Sequence, residues 1–447
     1  MRRARWVFSF LVSIMFATAS SASAEVAAGT TISGANAQLA QGLIPDELIP
    51  YVVDGNADLS VTVADPGKYV PHPAYVKATV DYACQAKLDD KGFLTNYKAG
   101  QPFPYSEWAK AATGHKCDLT PDDPQFALKL AWNVNYRWQG GSGLNLPHWG
   151  FSNMRNNGKE VWRIAQGEYR RTYFSHRADL PTMSLVDGTD IEWAEFFDVK
   201  TPFDLRGTMF LLYRYDVASK EDDTWAYIPA LRRVRRIAAT QKSDSLLGTE
   251  FTLEDFYIFA GYVWNHQWEF KGESTKLGVL NSKRTCFPSI IPGATSAGAA
   301  VNMVRLGTDE EWFTCKFGPY NALPFAGETF EKRTAFQLDD IPMQKGHPYS
   351  RKMIWYDKET LMPLYSIMYD RAGKPYRIIA SVFKWSEDSP VPENKGRNSS
   401  NYSHIMVVNV QNGNSHSGQF DNANAMEFEA SASRKYYDTT RLKTLGR

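Results

Sequence analysis

The chain predicts a mainly β fold (α+β) built on an antiparallel sheet, and three observations carry that expectation. Between Arg351 and Trp385, three aromatic-rich apolar stretches are separated by Asp357-Lys358-Glu359-Thr360 and Asp370-Arg371-Ala372-Gly373-Lys374, the pattern of a three-stranded meander. Short alternating runs such as "GTMFLLYRYD", "NHQWEFK" and "HIMVVNVQNG" recur from about residue 159 onward with little helical patterning between them. Aromatic residues make up 14% of the chain and are spread along it, which suits pleated, half-buried strands.

Taken in order, residues 1–24 have the zones of a secretory signal: basic Arg2, Arg3 and Arg5, an apolar run from Trp6 to Ala17, and Ala22-Ser23-Ala24 before Glu25. Cleavage is expected after Ala24, and the apolar run is shorter than the roughly 20 residues a bilayer core requires. Export to the periplasm follows as the expected localisation. Residues 25–123 are punctuated by Pro66, Pro71, Pro73, Pro102 and Pro104, which predicts an irregular wrapping region. Residues 124–392 hold the β core and 393–447 the strands and loops that complete the sheet at an edge. Within the core, "DPQFALKLAWNVNYRW" fits helix or strand. "TLEDFYIFAGYV" predicts a helix, with Thr252 as N-cap and Asp255 closing a capping box. Trp264, His266, Trp268 and Phe270 then alternate with polar residues as a half-buried strand, and His266 falls on its apolar face as a hydrogen-bonded core histidine.

The formal net charge is +1, and loss of three arginines with the leader takes it to −2. Against that balance, the cluster Arg232, Arg233, Arg235 and Arg236 in "WAYIPALRRVRRI" is local, and nucleic-acid binding, which needs a broad basic field, is not expected. Alternation places arginines on both faces of a strand there, which calls for an edge or rim. Two roles fit equally: cross-hairpin pairing with the carboxylates of "SKEDDTW" and "GTEFTLED", or contact with anionic lipid or an acidic partner, at most a peripheral membrane contact.

The four cysteines, Cys84, Cys117, Cys286 and Cys315, allow three pairings, and an even number accords with disulfides in an oxidising compartment. Pairing neighbours in sequence joins Cys84 to Cys117 and Cys286 to Cys315. Neither C-x-x-C nor H-E-x-x-H spacing occurs, so no metal site is expected. No phosphate-cradling loop or nucleophile elbow is present either; "GGSGL" lacks the last glycine of G-x-S-x-G. The chain is therefore expected to need no cofactor, to carry no catalytic residue and to work as a non-enzyme. Its aromatics either fill a core or line a slot for a lipid-like molecule; the candidate lining residues are Phe210, Leu212, Trp225, Tyr227, Phe256, Phe259, Trp264 and Trp268.

Several motifs carry a family resemblance: Leu205-Arg206-Gly207, Trp225-x-Tyr227-x-Pro229, the arginine run, and Ser245 with Gly248-Thr249, Phe251 and Asp255. With "YKAGQPFP" at Tyr97–Pro104 and the closing "TTRLKTLGR", the chain resembles the DUF1329 family of exported bacterial proteins, and more loosely the LolA/LolB-type lipoprotein-sorting proteins. The resemblance implies a strongly curved antiparallel sheet, an incomplete barrel with helices plugging its concave side. It implies a periplasmic binding or carrier protein for a hydrophobic, lipid-like ligand, partnered by an RND-type or other envelope exporter. The alternative it leaves open is an exporter scaffold with no small-molecule ligand.

Overall fold

The computed structural model of the chain describes residues 26–54, 58–65, 67–158, 160–218, 220–238, 241–282, 301–304, 312–315, 325, 327–389, 392–420 and 436–446. The N-terminal region contributes β1 (Thr31–Ile32), β2 (Leu59–Thr62), β3 (Lys87–Leu88) and β4 (Leu94–Thr95). Around these lie α1 (Ile49–Val53), α2 (Pro73–Asp81), α3 (Glu107–Ala112) and α4 (Phe126–Asn135). A first run of hairpins follows: β5 (Gly143–Arg155), β6 (Glu160–Tyr173), β7 (Ile191–Thr201), β8 (Met209–Tyr215), β9 (Asp223–Ile228) and β10 (Arg233–Ile237). After an irregular strap come β11 (His266–Gly278), β12 (Val301–Val304) and β13 (Trp312–Cys315). A second run holds β14 (Thr329–Pro342), β15 (Arg351–Asp357), β16 (Pro363–Tyr369), β17 (Pro375–Trp385), β18 (Ser400–Asn409) and β19 (Ser415–Phe420), and α5 (Thr439–Leu445) closes the chain.

Fifteen strands form one open sheet in the order β1-β2-β14-β15-β16-β17-β18-β19-β5-β6-β7-β8-β9-β10, with β11 also paired to β14. The meander expected at Arg351–Trp385 is β15, β16 and β17, and its turns fall where the Asp-led clusters place them. Asp357 accepts from the Thr360 N–H at 2.8 Å, and Asp370 from those of Ala372 and Lys374 at 2.9 Å each, which is how such carboxylates hold tight turns.

Three expectations are corrected. The sheet is mixed: β2 runs parallel to β14, because it reaches that edge by a long connection and not by a hairpin. The C-terminal strands do not close an edge. β18 lies between β17 and β19, and β19 pairs with β5, so residues 400–420 weld the two hairpin runs together. Finally, "TLEDFYIFAGYV" forms its capping box, but the helix stops after one 3-10 turn at Leu253–Asp255. Tyr257 and Ile258 then take φ of 56° and 67°. This sequence is rich in aromatic and β-branched residues of modest helix propensity, and tertiary anchors on either side override the cap. The ambiguous segment at 123–138 resolves as α4.

The main core lies between the N-terminal wrap and the strands β11 and β14–β18. Phe126 of α4 meets Phe270 of β11 edge-on at 4.8 Å, and Tyr105 meets Phe336 of β14 at 5.4 Å. His266 takes the core role expected of it, its Nδ1 bonded to the buried Asp340 carboxylate. Cys84 and Cys117 form a disulfide that ties α2 to the loop after α3. Cys286 lies outside the described residues, and with it the expected Cys286–Cys315 pairing. Among the described residues no helix is long and apolar enough to cross a membrane.

Candidate functional site

The strap between β10 and β11 crosses the face of the sheet, and buried ion pairs and hydrogen bonds fix it. Glu250 binds Arg377 of β17 at 2.9 Å, Glu254 binds His347 at 2.7 Å, and Asp255 binds Lys352 of β15 at 2.8 Å. Further along, Arg214 of β8 donates to the carbonyls of Ala260 and Gly261 at 2.7 and 3.0 Å while paired with Asp222. Charges this deep are tolerated only when paired and hydrogen-bonded, and each of these is.

Between its anchors the strap lays Phe251, Phe256 and Tyr257 over a partly open apolar cavity, whose empty space is about 450 Å3 when the opening to solvent is included. The opposite wall is Leu144, Leu146, Trp149 and Phe151 of β5, Tyr169 of β6, Phe197 of β7, Tyr402 and Ile405 of β18, and Phe420 of β19. Simple alternation would send Leu146 and Trp149 to opposite faces. A register shift between them flips the parity so that both pairs of β5 side chains face the cavity. Gly418 of β19 makes the room opposite: a Cβ there would stand 2.8 Å from the Phe151 ring. Trp149 stacks on Phe197 at 4.5 Å, and its indole N–H, fully buried, has no hydrogen-bond partner among the described residues. His416 sits beside this wall between Phe151 and Phe251, and burial pushes its pKa down to about 3, so it is neutral.

A polar cluster borders the cavity at Tyr257. The Tyr169 hydroxyl donates to Glu195 at 2.5 Å, and Arg171 donates to the same carboxylate at 2.6 Å while its guanidinium lies 4.1 Å from both the Trp193 and Tyr257 rings. Beyond it lies a second, partly open cavity, about 450 Å3 of empty space with its opening to solvent included, whose lining mixes aromatic side chains with polar and charged ones, among them Tyr97, Asn135, Arg137, Arg177, His176 and Glu192. Burial raises Glu192 to about 7, and the Arg214 charge only partly offsets it. His176 is raised despite its burial, by its 2.7 Å contact with Asp216. Both its ring nitrogens are engaged, the other by the Lys98 carbonyl. Among the described residues no group of three His, Cys, Asp or Glu side chains is arranged to hold a metal ion.

The lining residues proposed from sequence fall into four places. Phe256 lines the apolar cavity, and Phe210, the cross-strand partner of Phe197, packs on it at 6.0 Å beside the wall. Leu212 is buried on β8. Trp225 and Tyr227 belong to a separate cluster with the C-terminal segment, where the Tyr227 hydroxyl donates to the Gly446 carbonyl at 2.5 Å. Phe259, Trp264 and Trp268 pack against the main core beside β11, with Phe259 and Trp268 at 4.9 Å. Most of the cavity wall escaped the sequence reading; the signal was "LNLPHWGF", where a proline interrupts two alternating apolar pairs. Arg233, Arg235 and Arg236 are exposed on β10, the last strand of the sheet, Arg232 is exposed in the turn just before it, and Arg236 pairs with Asp223 across the hairpin.

A single broad sheet, roofed by an ion-paired strap over an apolar cavity, defines a mainly β protein with an internal hydrophobic site. The chain belongs to the family described as "Protein of unknown function (DUF1329)", which matches residues 31–443. No curated protein matches it. It is similar to a structure from Vibrio parahaemolyticus described as an outer membrane lipoprotein-sorting protein domain, at 18% identity and a TM-score of 0.45, covering 71% of this chain and 98% of that one. It is similar at 15% identity and the same TM-score to a DUF1329 family protein from Desulfovibrio piger, covering 71% and 97%. A LolA superfamily protein from Nitrosomonas europaea is similar at 11% identity and a TM-score of 0.37, covering 71% and 98%.

Proposed function

We propose that this protein binds and carries a hydrophobic, lipid-like ligand in the cell envelope, by burial and without bond chemistry. The observation that carries the reading is the apolar cavity beneath the strap, whose wall is almost entirely aromatic and aliphatic. Burying an alkyl chain at about 25 cal/mol per Å2 stabilises a complex by several kcal/mol, enough for reversible carriage. In this reading the sheet curves round the strap as an incomplete barrel. Lys352 on β15 and Arg171 on β6 are six strand spacings apart, about 29 Å if flat. Yet they touch Asp255 and Tyr257, two residues apart in the strap, which supports strong curvature. The Cys84–Cys117 disulfide supports an oxidising compartment such as the periplasm. The exposed arginines at β10 are the proposed contact for an anionic envelope surface, a lipid headgroup layer or an acidic partner such as an exporter.

The test is displacement of a neutral solvatochromic dye, Nile red, by long-chain alcohols. Saturable displacement is expected, and Leu146→Trp, which fills the cavity, should weaken it about ten-fold or more. Failure of every long-chain alcohol to displace the dye, or unchanged binding by L146W, contradicts the proposal.

A further inference from the structure

Six arginines are buried among the described residues: Arg137, Arg171, Arg177, Arg214, Arg333 and Arg377. Five of them hold a carboxylate, respectively Glu195, Asp179, Asp222, Asp357 and Glu250 for the last five named. Arg137 holds none. It is 8% exposed and, among the described residues, its side chain donates one hydrogen bond, to the Val134 carbonyl at 2.7 Å, while its buried Nε–H has no partner. The physics that puts a carboxylate on the other five applies equally here, because an uncompensated buried guanidinium is strongly unfavourable.

The surroundings of Arg137 say what kind of anion fits. It lines the second cavity, beyond Tyr257, and a smaller neighbouring one with Tyr75 and Trp138, so its side chain borders open space as well as packed protein. Acidic side chains also line these cavities, but Asp179 is engaged by Arg177, Glu192 by Asn135, and Glu359 does not reach it. Tyr257 lines the apolar cavity, and its ring lies 5.8 Å from the Arg137 guanidinium. One aromatic ring therefore separates an unpartnered cation from a space shaped for an alkyl chain. That ring stands on a backbone held at φ of 56°, followed by a β-branched residue at 67°, a strained pair in the left-handed region.

We propose that Arg137 is the binding residue for the anionic head of the carried molecule, so that the ligand is an acidic amphiphile whose alkyl chain fills the apolar cavity and whose carboxylate or phosphate meets the guanidinium past Tyr257. This rests on the carrier reading above and narrows it. Arg is suited to the task because its planar fork binds such oxyanions through two parallel hydrogen bonds.

Calorimetric titration of the full-length folded protein with palmitate, cetyl phosphate and cetyl alcohol, each below its micelle-forming concentration at mildly alkaline pH, tests this. The acids are expected to bind about ten-fold or more tighter than the alcohol. R137M should abolish that preference while leaving alcohol binding unchanged, and R137K should restore part of it. Equal affinity of acid and alcohol for the wild-type protein, or a preference that survives R137M, overturns the assignment of Arg137 while leaving the apolar site intact. If acetate or inorganic phosphate alone binds as tightly as the acids, Arg137 is a site for free anions and the proposal is overturned. Binding of none of the three amphiphiles removes the carrier reading itself and this inference with it. Should R137M not fold, the wild-type comparison decides alone.

Discussion

Asp255 on the strap and Lys352 on β15 lie 2.8 Å apart with side chains 0% and 3% exposed, the deepest of the ion pairs that hold the strap on the sheet. The Lys352 ammonium also donates to the Ile258 carbonyl at 3.2 Å, and the Tyr349 hydroxyl donates to Asp255 at 3.0 Å. The pair thus fixes the turn that places Phe256 and Tyr257 over the apolar cavity.

Removing one member leaves a buried charge alone. Asp255→Asn is expected to destabilise the fold by about 3–5 kcal/mol in urea unfolding, whereas the double variant D255L/K352M should cost much less. Equal losses in the single and double variants would mean that the pair is not where the energy lies.

His416 makes stability depend on pH. Burial holds its pKa near 3 in the native state, against 6.5 for the free side chain. Below pH 6.5 the unfolded chain takes up a proton that the folded one refuses, so this contribution to stability is full above 6.5 and falls as the pH drops toward 3. The slope reaches about 1.4 kcal/mol per pH unit for one proton. Unfolding at a series of pH values should show a shallower loss in His416→Gln than in the wild-type protein; parallel curves would contradict the assignment.

The Cys84–Cys117 bridge spans 33 residues of sequence. Its main effect is to restrict the unfolded chain, so C84S/C117S should lower stability by about 3–4 kcal/mol. Denaturant midpoints with and without reductant check this: the wild-type protein should shift on reduction and the double variant should not.

The β10 arginines separate contact from stability. Arg232, Arg233 and Arg235 are exposed, and replacing all three by Gln is expected to leave stability within about 0.5 kcal/mol. Cosedimentation with vesicles containing anionic phospholipid should fall in the triple variant and be salt-sensitive in the wild-type protein. Undiminished binding would remove these residues from the contact surface.

Local chemistry was legible in the sequence where it acts over a few residues. The Asp-led turns of the meander, the Thr252–Asp255 capping box and the arginine run at a sheet edge all follow from short-range rules, and each stands where those rules put it. What was hidden depends on distant partners. The capping box begins a helix that Lys352 and His347, almost a hundred residues away, pull into a strap. The cavity wall joins β5 to β18 and β19, which meet only because the C-terminal strands close back on the first hairpin run. The isolation of Arg137 has no sequence signal at all, since it is defined by carboxylates that pair elsewhere.

The most direct test of the central claim is a crystal structure of the protein grown with an alkyl alcohol carrying a terminal bromine, with the halogen located by anomalous scattering. A peak between the strap and β5, in contact with Trp149, Phe197 or Phe256, is the predicted result. A fully bound alcohol whose bromine lies outside that cavity, or a cavity that stays empty at saturating ligand, would contradict it.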